Sequence, residues 1–339
     1  MSAESRFGRA ITAAPNFAYE WTAQRGVPAS GDDIDLSNVV LIIGSEPVSP
    51  GAIAAFNKAF APFGLPPTAF KPSYGIAEAT LFVSTIAPAE RPSVAYFDRA
   101  ELARGRAVPV AADAMDAVAH VSCGQVARSQ WAIIVDPDTA GELPDGEVGE
   151  IWLHGDNVGR GYWGRPEETR RAFGATLQSG LPAGSHTEGA PVGATWLRTG
   201  DLGVYRDGEL YVTGRLADLV GIDGLSHYPH DIEATVADAS PLVRRGYVTA
   251  FSVAATDIAG AADGSARCLV VITERAAGTS RADPQPASEA IRAAVEHRHR
   301  VPVADVRFLP AGAIPRTTSG KLARLACRDQ YLQGTLGAH

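Results

Sequence analysis

The sequence predicts an α/β protein in two parts, a larger domain over residues 1–213 and a smaller α+β domain over 214–339. Three observations carry this reading. The apolar run Val39–Ile43 leads through a Gly-Ser-Glu-Pro turn into a helical pattern over Gly51–Phe63, the order of an α/β unit. From Trp131 to Thr213 short β-type runs alternate with Gly/Asp turns, predicting a β-rich subdomain over about 131–213. After Gly214 strands and helices alternate again, so a boundary falls at Gly214–Asp218.

Taken in order, the β-rich part should hold strands at Ala132–Val135, Val148–Leu153, Val204–Arg206 and Glu209–Val212. The Gly/Pro/Ser-rich stretch Gly180–Ala194 should be a surface loop. The last part should hold strands at Tyr247–Val253, Cys268–Thr273 and Val306–Leu309, with helices at Pro229–Ala239, Glu289–His299 and Lys321–Leu332.

A net charge of −8 argues against nucleic acid as the main partner. The run Glu296-His297-Arg298-His299-Arg300 is the one locally basic stretch and reads as a solvated helix end. Three sparse cysteines without metal or redox spacing fit a reducing cytoplasm, and the apolar runs are too short for a transmembrane segment.

Four short motifs could carry chemistry. Lys321, one of three lysines against 27 arginines, closes Pro315-Arg316-Thr317-Thr318-Ser319-Gly320-Lys321, either as a catalytic ammonium or as the chance survivor of a hydroxyl-capped helix entry. Ser73-Tyr74-Gly75-Ile76-Ala77-Glu78 reads as a loop. Tyr74 could stack on a purine, Gly75 admit a close backbone approach and Glu78 hold Mg²⁺; a buried tyrosine beside a solvated glutamate would look the same. Thr199-Gly200-Asp201 is either a carboxylate aimed at a ribose diol or an ordinary turn. Gly214-Arg215-Leu216-Ala217-Asp218 is either a hinge with a phosphate or ribose clamp or a surface hairpin. His227-Tyr228-Pro229-His230 lacks further ligands for a metal, and Pro229 at a helix start explains it.

In chain order, Gly44-Ser45-Glu46-Pro47, Tyr74-Gly75-x-x-Glu78, Gly149-Glu150-Ile151, Thr199-Gly200-Asp201, Gly214-Arg215 and Pro315-to-Lys321 resemble the adenylate-forming enzymes, the acyl-CoA synthetase and luciferase superfamily. Pro72 to Ser84, Val121-Ser122-Cys123-Gly124 and Asp223 to Pro229 resemble its fatty acyl-AMP ligase subgroup. The resemblance implies the adenylate-forming enzyme fold, with an incomplete large N-terminal domain. The family's Ser/Thr/Gly-rich phosphate loop is expected upstream of Ala13, so the chain reads as the C-terminal half to two-thirds of such an enzyme.

The resemblance further implies ATP and Mg²⁺, a long-chain fatty acid as substrate, and the phosphopantetheinylated acyl carrier domain of a polyketide synthase as acceptor. Lys321 would be catalytic, bridging carboxylate and α-phosphate. Ser45, Glu46 and Tyr74 would frame the adenine, with Pro47 and Gly75 also at the nucleotide; Asp201 would hold the ribose hydroxyls with Arg215 nearby, and Glu78 would bind the metal. Ala217 and Asp218 would form the hinge, Ala217 where relatives usually carry Asp or Lys. The length of the stretch between Ser84 and Trp131 favours a carrier protein over CoA as acceptor. An inactive fragment or interaction module, and an acyl-CoA synthetase, are the alternatives.

Overall fold

The computed structural model describes residues 9–29, 34–128, 130–258, 266–318 and 320–337. The chain divides into two compact units: Met1–Asp98 with Gly105–Leu216, and Arg99–Arg104 with Ala217–His339.

The first unit opens with β1 (Ala10–Ala14), α1 (Asn16–Arg25), β2 (Val39–Ile43), α2 (Pro50–Phe60) and β3 (Phe70–Ile76), with β1, β2 and β3 paired in parallel. Ser49 starts α2 by accepting the Ala52 N–H at 3.2 Å, and Pro50 fills the first turn, where its missing N–H costs nothing. Ala52, Ile53, Phe56 and Phe60 form the buried stripe of α2. Phe56 and Phe70 meet Tyr19 edge-on, and the Tyr19 hydroxyl donates to the Ile42 carbonyl at 2.8 Å. Burial of each such ring stabilises this layer by about 2–3 kcal/mol. The helix expected over 51–63 ends at Phe60; Ala61–Phe63 tightens into a 3₁₀ turn, and Gly64 turns left-handed at φ 80°.

Beyond β3 come β4 (Leu81–Thr85), β5 (Val94–Asp98), α3 (Arg99–Ala103), β6 (Ala117–Val121) and β7 (Gln125–Val126). β4 and β7 extend the first sheet antiparallel, in the order β1-β2-β3-β4-β7. A second, four-stranded antiparallel sheet follows, formed by β8 (Gln130–Val135), β9 (Gly149–Gly155), β10 (Leu197–Arg206) and β11 (Glu209–Arg215), with α4 (Pro166–Phe173) between β9 and β10. Residues 180–194 form no helix or strand. Buried Glu142 fastens that loop by accepting from Leu181 N, Ser185 Oγ and His186 N at 3.0, 2.6 and 2.8 Å.

The second unit holds β12 (Val220–Ile222), β13 (Leu225–His227), α5 (Pro229–Ala239), β14 (Val243–Ala254), β15 (Arg267–Arg275), α6 (Gln285–His299), β16 (Val303–Leu309) and α7 (Arg324–Leu332). β14-β15-β16 make one sheet, and Ile232, Val236, Ile291 and Val295 from α5 and α6 pack on it in one core. α6 starts four residues earlier than the sequence suggested. Its basic end is not simply solvated either: His299 is buried, bonds Thr235 Oγ1 at 2.8 Å, and burial pushes its pKa down to about 3, aided by Arg99 and His227. Arg99, on α3, pairs with Asp231 of α5.

Candidate active site

Thr199-Gly200-Asp201 is not a turn between strands; β10 runs through it as a bulge. Its register against β9 shifts between Arg198 and Leu202, and Gly200 takes φ 71°, a conformation open to glycine without strain. Glu150 of β9, 2% exposed, holds the bulge: Oε1 accepts the Gly200 N–H at 3.0 Å, while Oε2 accepts Trp152 Nε1 at 2.9 Å and Arg198 Nε at 3.0 Å. The Thr199 hydroxyl donates to Ile151 O at 2.7 Å and accepts the Asp201 N–H at 3.0 Å. The backbone beneath Asp201 is therefore fixed independently of its side chain.

The Asp201 carboxylate accepts Arg215 Nε on Oδ1 at 2.8 Å and the Tyr74 hydroxyl on Oδ2 at 2.9 Å. Burial pushes its pKa above the ordinary value, against the pull of Arg215 and Tyr74. A carboxylate has about four lone-pair sites, so two remain for a pair of ligand hydroxyls.

Tyr74 reaches Asp201 from β3, a strand where the sequence suggested a loop. Its ring is 7% exposed and packs with Val83, Ile151 and Leu153, and burial raises its pKa well above the usual value. Gly75 is required locally: a Cβ there would lie 1.8 Å from Leu81 O, across the irregular β3–β4 pairing. The 3₁₀ turn Ala77–Ala79 then presents Glu78, whose Oε1 accepts the Tyr162 hydroxyl at 2.8 Å. Glu78 is near enough to push Asp201 upward, and Arg215 to pull Tyr162 downward. Tyr74, Glu78, Asp201 and Arg215 thus share one neighbourhood.

Ser45, Glu46 and Pro47 follow the carboxyl end of β2, where parallel sheets bind ligands. A Cβ on Gly44 would lie 2.4 Å from Ser73 O, so glycine lets this loop run beside β3. Asn16 braces it. Its N–H donates to Glu46 Oε1 at 3.0 Å, its Nδ2 to Pro47 O at 2.8 Å, and its Oδ1 accepts Ser49 N at 2.9 Å. The Glu46 carboxylate is engaged in this brace.

In the second unit Lys321 belongs to a hairpin rather than to the first turn of the last helix, which starts at Arg324. Arg316 bridges to Leu322, Thr317 N donates to Lys321 O at 2.9 Å, and Lys321 N donates to Thr317 Oγ1 at 3.1 Å. The Arg316 guanidinium donates to Gly246 O at 2.6 Å and lies 4.0 Å from the Tyr247 ring centre. The 3₁₀ turn Leu216–Asp218 crosses the division between the units, and Asp218 accepts Arg324 Nη1 at 3.1 Å.

Asn16, Glu150 and Tyr162 escaped the sequence reading. Glu150 lay inside the Gly149-Glu150-Ile151 motif without a role. Asn16 and Tyr162 act across 30 and 84 residues, with no local pattern to mark them. A single carboxylate such as Glu78 would suit Mg²⁺, an ion that takes its remaining oxygens from phosphates and water. Among the described residues no cluster of three or more His, Cys, Asp or Glu could hold a metal by itself.

Residues 7–163 match the AMP-binding enzyme family. Over 99% of its length the chain is 50% identical to the long-chain-fatty-acid–AMP ligase FadD32 of Mycolicibacterium smegmatis, of which it covers 55%. A structure from a study of fatty acyl-adenylate ligases of E. coli and L. pneumophila matches with TM-score 0.79 and 29% identity, over 98% of this chain and 55% of that one. A fatty acyl-adenylate ligase of L. pneumophila in complex with acyl adenylate and pyrophosphate matches with TM-score 0.57 and 29% identity, over 98% and 54%. The chain spans about half the length of the curated relatives it matches.

Proposed function

We propose that this chain supplies the ribose-binding, metal-binding and lysine-bearing parts of a fatty acyl-AMP ligase, which activates a long-chain fatty acid with ATP to acyl-adenylate and pyrophosphate. The observation that carries the reading is the Asp201 carboxylate, held on a glycine bulge between Arg215 and Tyr74 with lone pairs left for a diol. Bidentate, charge-assisted acceptance of two ribose hydroxyls suits that geometry. The loop Ser45-Glu46-Pro47 and residues Tyr74 and Gly75 flank the adenine, and Glu78 offers a carboxylate oxygen towards the phosphates. When bound, Mg²⁺ neutralises charge building at phosphorus.

Attack by the fatty carboxylate on the α-phosphate needs no protein nucleophile; positioning and charge neutralisation suffice. Lys321 brings a compact ammonium to the two anions being joined, carried by the unit that begins at Ala217, with Ala217 and Asp218 as its hinge. On this reading the functional parts are residues 1–213 and 214–339, with the lysine loop in the smaller one. The acceptor of the acyl group is a phosphopantetheine thiol on a carrier domain of a polyketide synthase, a reading supported by the long stretch between Ser84 and Trp131. Three buried free thiols suit a reducing cytoplasm. Among the described residues no helix is long and apolar enough to cross a membrane.

The test is ATP–pyrophosphate exchange with long-chain fatty acids, using the protein isolated from its own cells. Exchange should fall about a hundredfold or more in Lys321→Ala, the scale of losing one preorganised charge at the transition state. In the same assay, added CoA should give no thioester. Unchanged exchange would remove Lys321 from its role, and an acyl-CoA product would replace the carrier reading with that of a synthetase.

A further inference from the structure

We infer that Tyr162 is a positioning residue for Glu78, setting the plane of its carboxylate so that one oxygen is held by the protein and the other is left to meet a divalent cation. The inference rests on the assignment of Glu78 to the cation and deepens it.

The turn that carries Glu78 is clamped by one segment, Asn157–Tyr162, which follows β9. Asn157 O accepts the Thr80 hydroxyl at 2.6 Å and Asn157 Nδ2 donates to Ala79 O at 2.8 Å. Gly159 N donates to Glu78 O at 2.7 Å, and the Tyr162 hydroxyl donates to Glu78 Oε1 at 2.8 Å. Two of these bonds hold backbone carbonyls of the turn, and a third holds the Thr80 side chain that follows it. Only the fourth touches the carboxylate, so Tyr162 alone of the clamp decides how that group faces.

Tyr162 is itself held from two sides. Its ring stands edge-on to Phe173 at 5.1 Å, and Thr169 Oγ1 of α4 accepts the Tyr162 N–H at 2.9 Å. Gly161 makes that approach possible: at φ 142° a Cβ would lie 2.2 Å from Thr169 Cγ2. A rigid phenol on one carboxylate oxygen removes a rotamer freedom that cation binding would otherwise have to quench. It also favours single-oxygen ligation, which matches the octahedral, largely phosphate- and water-filled shell of Mg²⁺.

The experiment measures AMP and ATP affinity calorimetrically against Mg²⁺ concentration, for the wild-type protein, Tyr162→Phe and Glu78→Gln. Phenylalanine keeps the ring contact with Phe173, so Tyr162→Phe should hold its melting temperature and its metal-free AMP affinity. Its half-saturating Mg²⁺ for tight ATP binding should rise about tenfold, the low end of the scale for one hydrogen bond to a charged group. An unchanged Mg²⁺ requirement in Tyr162→Phe, with a raised one in Glu78→Gln, would overturn the role of Tyr162 and leave Glu78 standing. A loss of AMP affinity or of melting temperature equal to the Mg²⁺ effect would make Tyr162 a structural brace only. If Glu78→Gln and wild type show the same Mg²⁺ dependence, the cation assignment itself fails.

Discussion

Asp201→Ala should lower AMP affinity about a hundredfold, because on the proposed reading it deletes the carboxylate that would accept two ligand hydroxyls at once. Hydrogen bonds to a charged group are worth about 1.5–3 kcal/mol each, and about 1.4 kcal/mol is tenfold in affinity. The substitution also takes away the acceptor of the buried Tyr74 hydroxyl, a cost to stability that a melting temperature reads separately. Arg215→Ala separates the contributions. It spares the carboxylate but removes the cation that offsets the effect of burial on Asp201. AMP binding, followed by calorimetry across the acid range, should weaken at a higher pH in Arg215→Ala than in wild type, since the protonated carboxyl loses acceptor capacity. Equal AMP affinity in Asp201→Ala and wild type would take the ribose away from this site.

In the second unit, Arg324→Ala should destabilise the fold by about 3–5 kcal/mol, the range for leaving a buried charge without its partner. Arg324 donates to both oxygens of Glu233 at 2.7 Å and to Asp218 at 3.1 Å. Glu233 is 8% exposed, and apart from Arg324 its Oε1 accepts the Ala250 N–H at 3.2 Å. Burial works against the Arg324 charge, yet Glu233 and Asp218 together lift its pKa above the ordinary value. The contrast is Arg245–Asp238, whose side chains are 75% and 67% exposed; Arg245→Ala should cost under about 1 kcal/mol. Denaturant unfolding of both variants checks the pair. Because Asp218 follows the division between the units, Arg324→Ala should also loosen the proposed hinge where it is tied to α5 and α7.

The residues legible in the sequence were those whose chemistry is local. Val39–Ile43 and Pro229–Ala239 appear as expected because apolar runs and a first-turn proline act within a few residues. The order of the short motifs likewise carried the resemblance to fatty acyl-AMP ligases without any coordinates. The errors have a common cause. Thr199-Gly200-Asp201 was a turn by composition, but pairing with β9 and the Glu150 carboxylate keep it in β10 as a bulge. Lys321 was placed in the first turn of a helix, but the Arg316–Leu322 bridge holds it in a hairpin. Glycine and hydroxyl residues permit several backbone paths, and partners far along the chain select one.

The sequence by itself determined the residue types: a carboxylate after Gly200, an ammonium after Gly320, and an aromatic four residues before Glu78. Tertiary structure decided what each touches. Tyr74 meets Asp201 across 127 residues and Tyr162 meets Glu78 across 84, distances at which no periodicity survives. Chain folding brings these groups together through packing of the two sheets, and only there do burial and a neighbouring charge act on Asp201.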